Sequence, residues 1–364
     1  MRDNKIKVFY TEKQVLVEDS LRNFSKSPLK PKLLLEHLSK NNLLNHFDFV
    51  SNFRPLTNFE FMLAHTPEYV NDFFTGGKLA ESNGLRWSSQ FANSVRYTNS
   101  SLYHAIKNSI LNPEQVSFSP TSGFHHASPN GGMGFCTFSG QAISSIKLYK
   151  ELGKVGCYID LDGHYGNSIE DTRAFNPIIN KAIPPGFNFN PKYTGQDYVD
   201  ELRHFLYSVV ALKIMDGEID YVVWCHGADS HKDDDLGSRV NTKQWIECAD
   251  IFWSWIKFMD DLLGSPIPVS CALFGGYRKD DFDSVLNLHT ADLVKCLNHL
   301  LNYEIEFEAV VKPKPEPKYE SVLYNYDDSE VLEYTPSRSY PRQDDSLKSR
   351  YRQLLKGRHY MENR

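Results

Sequence analysis

Asp160, Asp162 and His164 alternate in the run YIDLDGH, and in an extended chain alternate side chains share one side. Asp162 and His164 can then grip one cation while Asp160 supports them from within. A second segment, IDYVVWCHGAD, ends on Asp229, which can supply a third ligand. Two carboxylate oxygens and one imidazole leave a coordination position open for water, as in a catalytic zinc site. His125 and His126 stand side by side, and imidazole titrates near neutrality, so the pair can hold and move a proton. Tyr277 follows Gly275 and Gly276; glycines let backbone approach closely, and a phenol can donate to developing negative charge. Taken singly these are ordinary features. A DxDxH run can cap a helix, adjacent histidines are commonly structural, and GGY is a turn.

Their company comes from the segments that carry them. PEQVSFSP leads into SGFHHAS, KVGCYIDLD into Asp162 and His164, IDYVVWCHG into His226 and Asp229, and PIPVSCALFGG into Tyr277. Helix-like stretches lie between them: GQAISSIKLYKELG, TGQDYVDELRHFLYSVVALKIMDG and QWIECADIFWSWIKFMDDLL. Short apolar strands separated by such helices imply an α/β fold whose mostly parallel sheet is covered on both faces. Ligands of such sheets bind beyond the carboxyl ends of the strands. Residues from about 125 to 277 therefore converge on one site in one domain. Pro313, Pro315 and Pro317 in VKPKPEPKYE forbid helix and favour an extended linker. The reading is a catalytic domain over 1–310 and a linker and C-terminal tail over 311–364.

Composition narrows the class further. With 364 residues, 41% hydrophobic and 24% charged, the chain is neither disordered nor a small disulfide scaffold. A net charge of -6 supplies no global attraction for nucleic acid. The first residues lack the apolar core of a secretory signal, and no apolar run reaches the roughly 18 to 20 residues that span a bilayer. Six cysteines without a CxxC pair, several inside apolar runs, read as buried thiols of a reducing compartment, and so of a cytoplasmic protein.

These motifs resemble those of the histone deacetylase family of zinc-dependent amidohydrolases, which includes acetylpolyamine amidohydrolases. HHASPNGGMGFCTFSGQAI is similar to its His-His-Ala … Gly-Phe-Cys … Asn-x-x-Ala-Ile segment, with Ser139 at the usual Asn. DLDGHYGNS, GADSHKDDDLG and FGGY match its later motifs in order, and MLAHTPEYVNDFF resembles its Val-His-x-Pro-Glu-Tyr-Val segment. Class II and IV members and bacterial ones are nearest in pattern. Tyr165 replaces a common His or Gln, and Ser168 replaces a glycine.

The resemblance implies a three-layer α/β/α arginase/deacetylase-like fold. It makes Asp162, His164 and Asp229 the ligands of one Zn2+, and His125 and His126 the base and acid pair. Asp160 would orient His125, Asn167 would orient His126, and Tyr277 would polarise the substrate carbonyl. Gly134 and Phe135 would line an acyl-lysine channel, and carbonyls around Asp160, Asp162 and His164 would hold K+. A second aromatic wall is not legible between Glu170 and Gln196, and Glu81 is the weak candidate for the acidic rim residue. The expected activity is hydrolysis of Nε-acyl-lysine in proteins or peptides, without nucleic-acid or membrane partners and with a homo-oligomer left open. An acetylpolyamine or other small N-acyl amine is the alternative substrate, and a non-catalytic binding module the alternative class. A binuclear site of the arginase type lacks its extra carboxylates, since Gly166 follows His164 by two and His231 follows Asp229 by two.

Overall fold

The computed structural model describes residues 2–16 and 25–314. Its strands are β1 (Ile6–Phe9), β2 (Phe47–Val50), β3 (Ser117–Ser119), β4 (Gly156–Asp160), β5 (Asn188–Phe189), β6 (Tyr221–Cys225) and β7 (Val269–Ala272). Its α-helices are α1 (Lys30–Lys40), α2 (Asn58–Phe61), α3 (Pro67–Thr75), α4 (Ser89–Leu111), α5 (Gly140–Leu152) and α6 (Ser168–Phe175). They continue with α7 (Ile179–Ala182), α8 (Gly195–Phe205), α9 (Ala211–Met215), α10 (Thr242–Leu263) and α11 (Phe282–Leu301).

All seven strands pair in parallel, in the order β2-β1-β3-β7-β6-β4-β5. Helices flank this sheet in a three-layer α/β/α fold. The central strands are buried throughout, which is why YVVWC and GCYID read as unbroken apolar runs rather than alternating ones. Trp224 of β6 stacks on Phe252 of α10 with ring centroids 4.1 Å apart, and α10 packs along α11. All six cysteines are buried and unpaired.

Helix boundaries follow local chemistry. Ser139 caps α5 by accepting from the Ala142 amide. Asn241 and Gln244 form a capping box at the start of α10, which ends at left-handed Gly264. The long helix expected from Thr194 to Gly217 is interrupted: a π-helical turn at Leu206–Val210 separates α8 from α9. Strands β1, β2 and β5 carry no clear sequence signal of their own. They are two to four residues long and mix polar with apolar side chains.

Residues 311–314, placed by sequence in the tail, lie against the domain. The Lys312 amide donates to Ser284 Oγ at 3.1 Å, and Arg278 donates to the Lys312 carbonyl. The rest of the expected tail, with its Lys-Pro continuation, lies outside the described residues.

Candidate active site

Strands β3, β4, β6 and β7 are neighbours in the sheet, so their carboxyl ends deliver the sequence-marked residues to one edge. β4 stops at Asp160, and the chain then turns over the sheet edge. Asp160 Oδ1 accepts from the Asp162 amide at 3.2 Å, and Asp162 Oδ1 accepts from the His164 amide at 3.0 Å. This folds the DxDxH run into a cup rather than an extended ribbon. His164 Nδ1 lies 3.1 Å from Asp162 Oδ1 and 3.0 Å from Asp229 Oδ2. One donor atom from each of Asp162, His164 and Asp229 falls within 4.8 Å of the others.

Backbone amides hold the two carboxylates. Gly163 N donates to Asp229 Oδ1 at 3.0 Å, and Gly275 N donates to Asp162 Oδ2 at 2.9 Å. A Cβ on Gly275 would stand 2.3 Å from the Asp229 carboxylate, so that approach requires glycine. His164 Nε2 sits 3.1 Å from the Leu236 carbonyl, which assigns the ring proton to Nε2 and turns the Nδ1 lone pair toward the two carboxylates. Two carboxylate oxygens and an imidazole nitrogen converging in a buried cup are donors suited to one Zn2+. The local charge balance agrees. Burial and the neighbouring Asp162 push the Asp229 carboxyl up to about 8, and hydrogen bonds to Asp162 and Asp229 raise His164 to about 11. A divalent cation relieves both by taking the place of the bound protons.

Beside this cup the two histidines lie 4.1 Å apart between ring centroids. His125 Nδ1 meets Asp160 Oδ2 at 3.0 Å, and its Nε2 lies 3.5 Å from Asp162 Oδ1. Burial works against its charge, but the Asp162 and Asp160 carboxylates outweigh burial and raise it to about 9. His126 Nδ1 meets Asn167 Oδ1 at 3.1 Å. Burial and then the adjacent His125 lower His126 to about 4, so at neutral pH one ring is cationic and its neighbour neutral. Asn167 is itself oriented, because its Nδ2 donates to Asp171 Oδ2 at 2.6 Å. Asp171 was not singled out in the sequence; only its spacing of four from Asn167 on α6 could have marked it.

Tyr277 faces Phe135, with ring centroids 5.6 Å apart, and its ring lies 6.5 Å from that of His164. Burial and then Asp162 push the phenol well above its usual range, so it stays a donor at neutral pH. Gly134 and Phe135 both have positive φ, +54° and +63°, and a Cβ on Gly134 would stand 2.7 Å from His126 Cδ2. Gly134 and the His126 ring are thus closely packed. Glu81, the candidate rim residue, accepts from the Trp87 amide through Oε1 at 2.8 Å. Of the carbonyls around the expected K+ position, Leu161 and Gly163 already accept from Tyr198 Oη and Arg239 Nε, each at 3.0 Å.

His226, which sequence placed among the polar strand ends, is not part of this cup. Its ring stacks on Trp245 at 3.7 Å and its Nδ1 meets Asp292 at 3.3 Å, which makes it a core side chain. Lys30 is another residue that sequence reasoning missed. It is fully buried, and its Nζ donates to the carbonyls of Phe274 and of Gly275, the latter at 2.9 Å. Burial lowers its pKa to about 8 despite the Asp229 and Asp162 carboxylates nearby. Two of the three departures from the family pattern meet each other: Ser139 Oγ donates to Ser168 Oγ at 2.8 Å.

Comparison with known proteins agrees with this geometry. A solved structure, the HDA15 HD domain, superposes with a TM-score of 0.62 over 82% of this chain and 90% of its own, at 17% identity. The fold is therefore that of a deacetylase-type α/β/α domain. The histone deacetylase domain family model matches residues 25–180. An uncharacterized protein of Picosynechococcus sp. is 25% identical over 242 residues, covering 61% of this chain and 77% of its own length. The chloroplastic histone deacetylase 14 of Arabidopsis thaliana is 34% identical over 83 residues, 21% of this chain and 20% of its own length. Residues 25–180 are thus similar to a histone deacetylase domain. The family-model match ends before Asp229 and Tyr277, so their membership of the site rests on motif and geometry. Among the described residues no helix is long and apolar enough to cross a membrane.

Proposed function

We propose that this protein is a zinc-dependent amidohydrolase that removes acetyl or other short acyl groups from the Nε of lysine in peptides or proteins. The observation that carries the reading is the cup of Asp162, His164 and Asp229 set against two adjacent histidines, one held by Asp160 and the other by Asn167. Asp162, His164 and Asp229 would hold the ion. Zinc, when bound, supplies Lewis acidity to the amide carbonyl and acidifies a water beside it.

The remaining chemistry belongs to the chain. His126, neutral at pH 7, takes a proton through Nε2 from the attacking water as the new C–O bond forms. Asn167 holds its Nδ1 side, so Nε2 is the free face. His125 stays protonated, tied to Asp160, and its positive charge favours the negative charge gathering on the carbonyl oxygen. Tyr277 donates its hydroxyl hydrogen to that oxygen. As the C–N bond breaks, His126 returns its proton to the departing amine nitrogen. Products are a carboxylate and a free amine. The Phe135 and Tyr277 rings touch, 5.6 Å between centroids, and would offer the substrate chain one continuous aromatic wall. Its six buried thiols fit a reducing compartment, and we place the protein in the cytoplasm.

The test is acetate release by the zinc-loaded protein from an acetyl-lysine peptide and, separately, from an N-acetylated polyamine. Faster turnover of the peptide supports the reading. Turnover of the polyamine alone moves the substrate to small amines, and turnover of neither, with zinc bound, overturns the enzymatic reading.

A further inference from the structure

Two loops that sequence treats as separate meet behind the cup. One follows Asp229 and carries Asp234, Asp235 and Leu236; the other carries Tyr277 and Lys279. Asp234 is 6% exposed, and its carboxylate is shared between them. Oδ2 accepts from the Tyr277 amide at 2.7 Å, while Oδ1 accepts from the amides of Leu236 at 3.0 Å and Gly237 at 3.4 Å. The second contact closes a tight turn, and that turn presents the Leu236 carbonyl to His164 Nε2 at 3.1 Å. Asp235 repeats the link on the outside, accepting from the Lys279 amide at 3.0 Å and pairing with Lys314 at 2.6 Å.

We infer that Asp234 is a positioning residue that sets two reacting groups at once, the His164 ring through the Leu236 carbonyl and Tyr277 through its backbone amide. The inference rests on the zinc amidohydrolase reading for the meaning of Tyr277, but its His164 arm concerns metal binding alone. The chemistry requires a carboxylate. All three N–H groups point at it, from both sides, and it has acceptors on both oxygens. An amide in its place offers one acceptor and turns an NH2 group toward N–H donors on the other side. One arm must then let go, and either loss is transmitted: a freed Leu236 carbonyl loosens the His164 tautomer, and a freed Tyr277 amide lets the phenol drift. Partners that orient metal ligands in this way typically govern affinity or activity by about 10- to 100-fold.

The test compares wild type, Asp234→Asn, Tyr277→Phe and the double variant. Zinc affinity is read by competition with a chromophoric chelator, thermal stability on the metal-free proteins, and kcat on an acetyl-lysine peptide. Asp234→Asn is expected to weaken zinc at least about tenfold or lower kcat by a similar factor. Tyr277→Phe is expected to leave zinc affinity unchanged. Any kcat loss from Asp234→Asn that acts through Tyr277 should shrink in the double variant, where the hydroxyl is already gone. Lower thermal stability with wild-type zinc affinity and kcat overturns the inference, because Asp234 then only holds the fold together. Wild-type values throughout overturn it as well. If Asp234→Asn does not fold, the zinc-loaded wild type still decides the His164 arm. Long-range proton–nitrogen NMR should find the His164 proton on Nε2 and slowly exchanging, and a proton on Nδ1 overturns that arm. A failure of the amidohydrolase reading would look different: no turnover by wild type, with the zinc-affinity contrast intact.

Discussion

His65 offers a quantitative test of how the loop that carries Gly134 and Phe135 is held. It is fully buried and bridges the two ends of the 128–139 segment. Nδ1 meets the Ser128 carbonyl at 2.9 Å, and Nε2 accepts from the Ser139 amide at 2.8 Å. That pattern needs a neutral ring, with its proton on Nδ1 and a lone pair on Nε2. Burial accordingly lowers its pKa to about 3. In the unfolded chain the ring takes a proton near pH 6.5, whereas the folded protein refuses it until about pH 3. Its contribution to stability is therefore complete above pH 6.5 and is lost as pH falls toward 3. Between pH 7.5 and pH 5, about 1.5 units below the unfolded value, the loss is about 2 kcal/mol.

His65→Gln removes the titration while keeping a donor and an acceptor. The variant should be less stable than wild type at pH 7.5, because the amide cannot reproduce both bonds. On going to pH 5 it should lose about 2 kcal/mol less than wild type does. Urea unfolding followed by tryptophan fluorescence reads this directly, since Trp224, Trp245, Trp253 and Trp255 are fully buried. Stability curves for variant and wild type that fall in parallel with pH would refute the reasoning.

Two further substitutions probe the groups proposed for proton transfer and oxyanion binding. Tyr277→Phe keeps the ring against Phe135 but removes the donor, so kcat should drop by about 10²- to 10³-fold at unchanged zinc affinity. Near-normal turnover removes Tyr277 from the oxyanion role. Gly134→Ala should cost about 1–2 kcal/mol of stability for a left-handed non-glycine residue, seen as a lower urea midpoint. Because its Cβ would meet His126 Cδ2 at 2.7 Å, turnover of the folded protein should also fall at least about tenfold. Unchanged turnover would mean that Gly134 and the His126 ring are not coupled.

What could be read from sequence is what short-range spacing or strand ends encode. Asp162 and His164 are two residues apart, and Asp229 and Tyr277 each follow an apolar run. Their meeting at one sheet edge follows from parallel topology. What could not be read is carried by the backbone or by burial. Lys30 sits in the polar-looking stretch KSPLKPKLL, yet it is buried because the Phe274 and Gly275 carbonyls accept its ammonium. The Leu236 carbonyl has no side-chain signal at all, and Asp234 is one of three consecutive aspartates whose directions only the fold distinguishes. His226 misleads for the opposite reason. It ends an apolar strand as the residues gathered at the cup do, but Trp245 and Asp292 take both its face and its Nδ1.

The central claim is that one ion in the Asp162–His164–Asp229 cup enables His126-dependent hydrolysis of an acyl amine. Stepwise addition of zinc to metal-free protein, with acetate release from an acetyl-lysine peptide followed at each step, tests it most directly. The account predicts activity rising linearly to one equivalent and then levelling, with His126→Ala binding the same equivalent and releasing almost no acetate. Zinc that binds without hydrolysis, or hydrolysis that survives in His126→Ala, would contradict it.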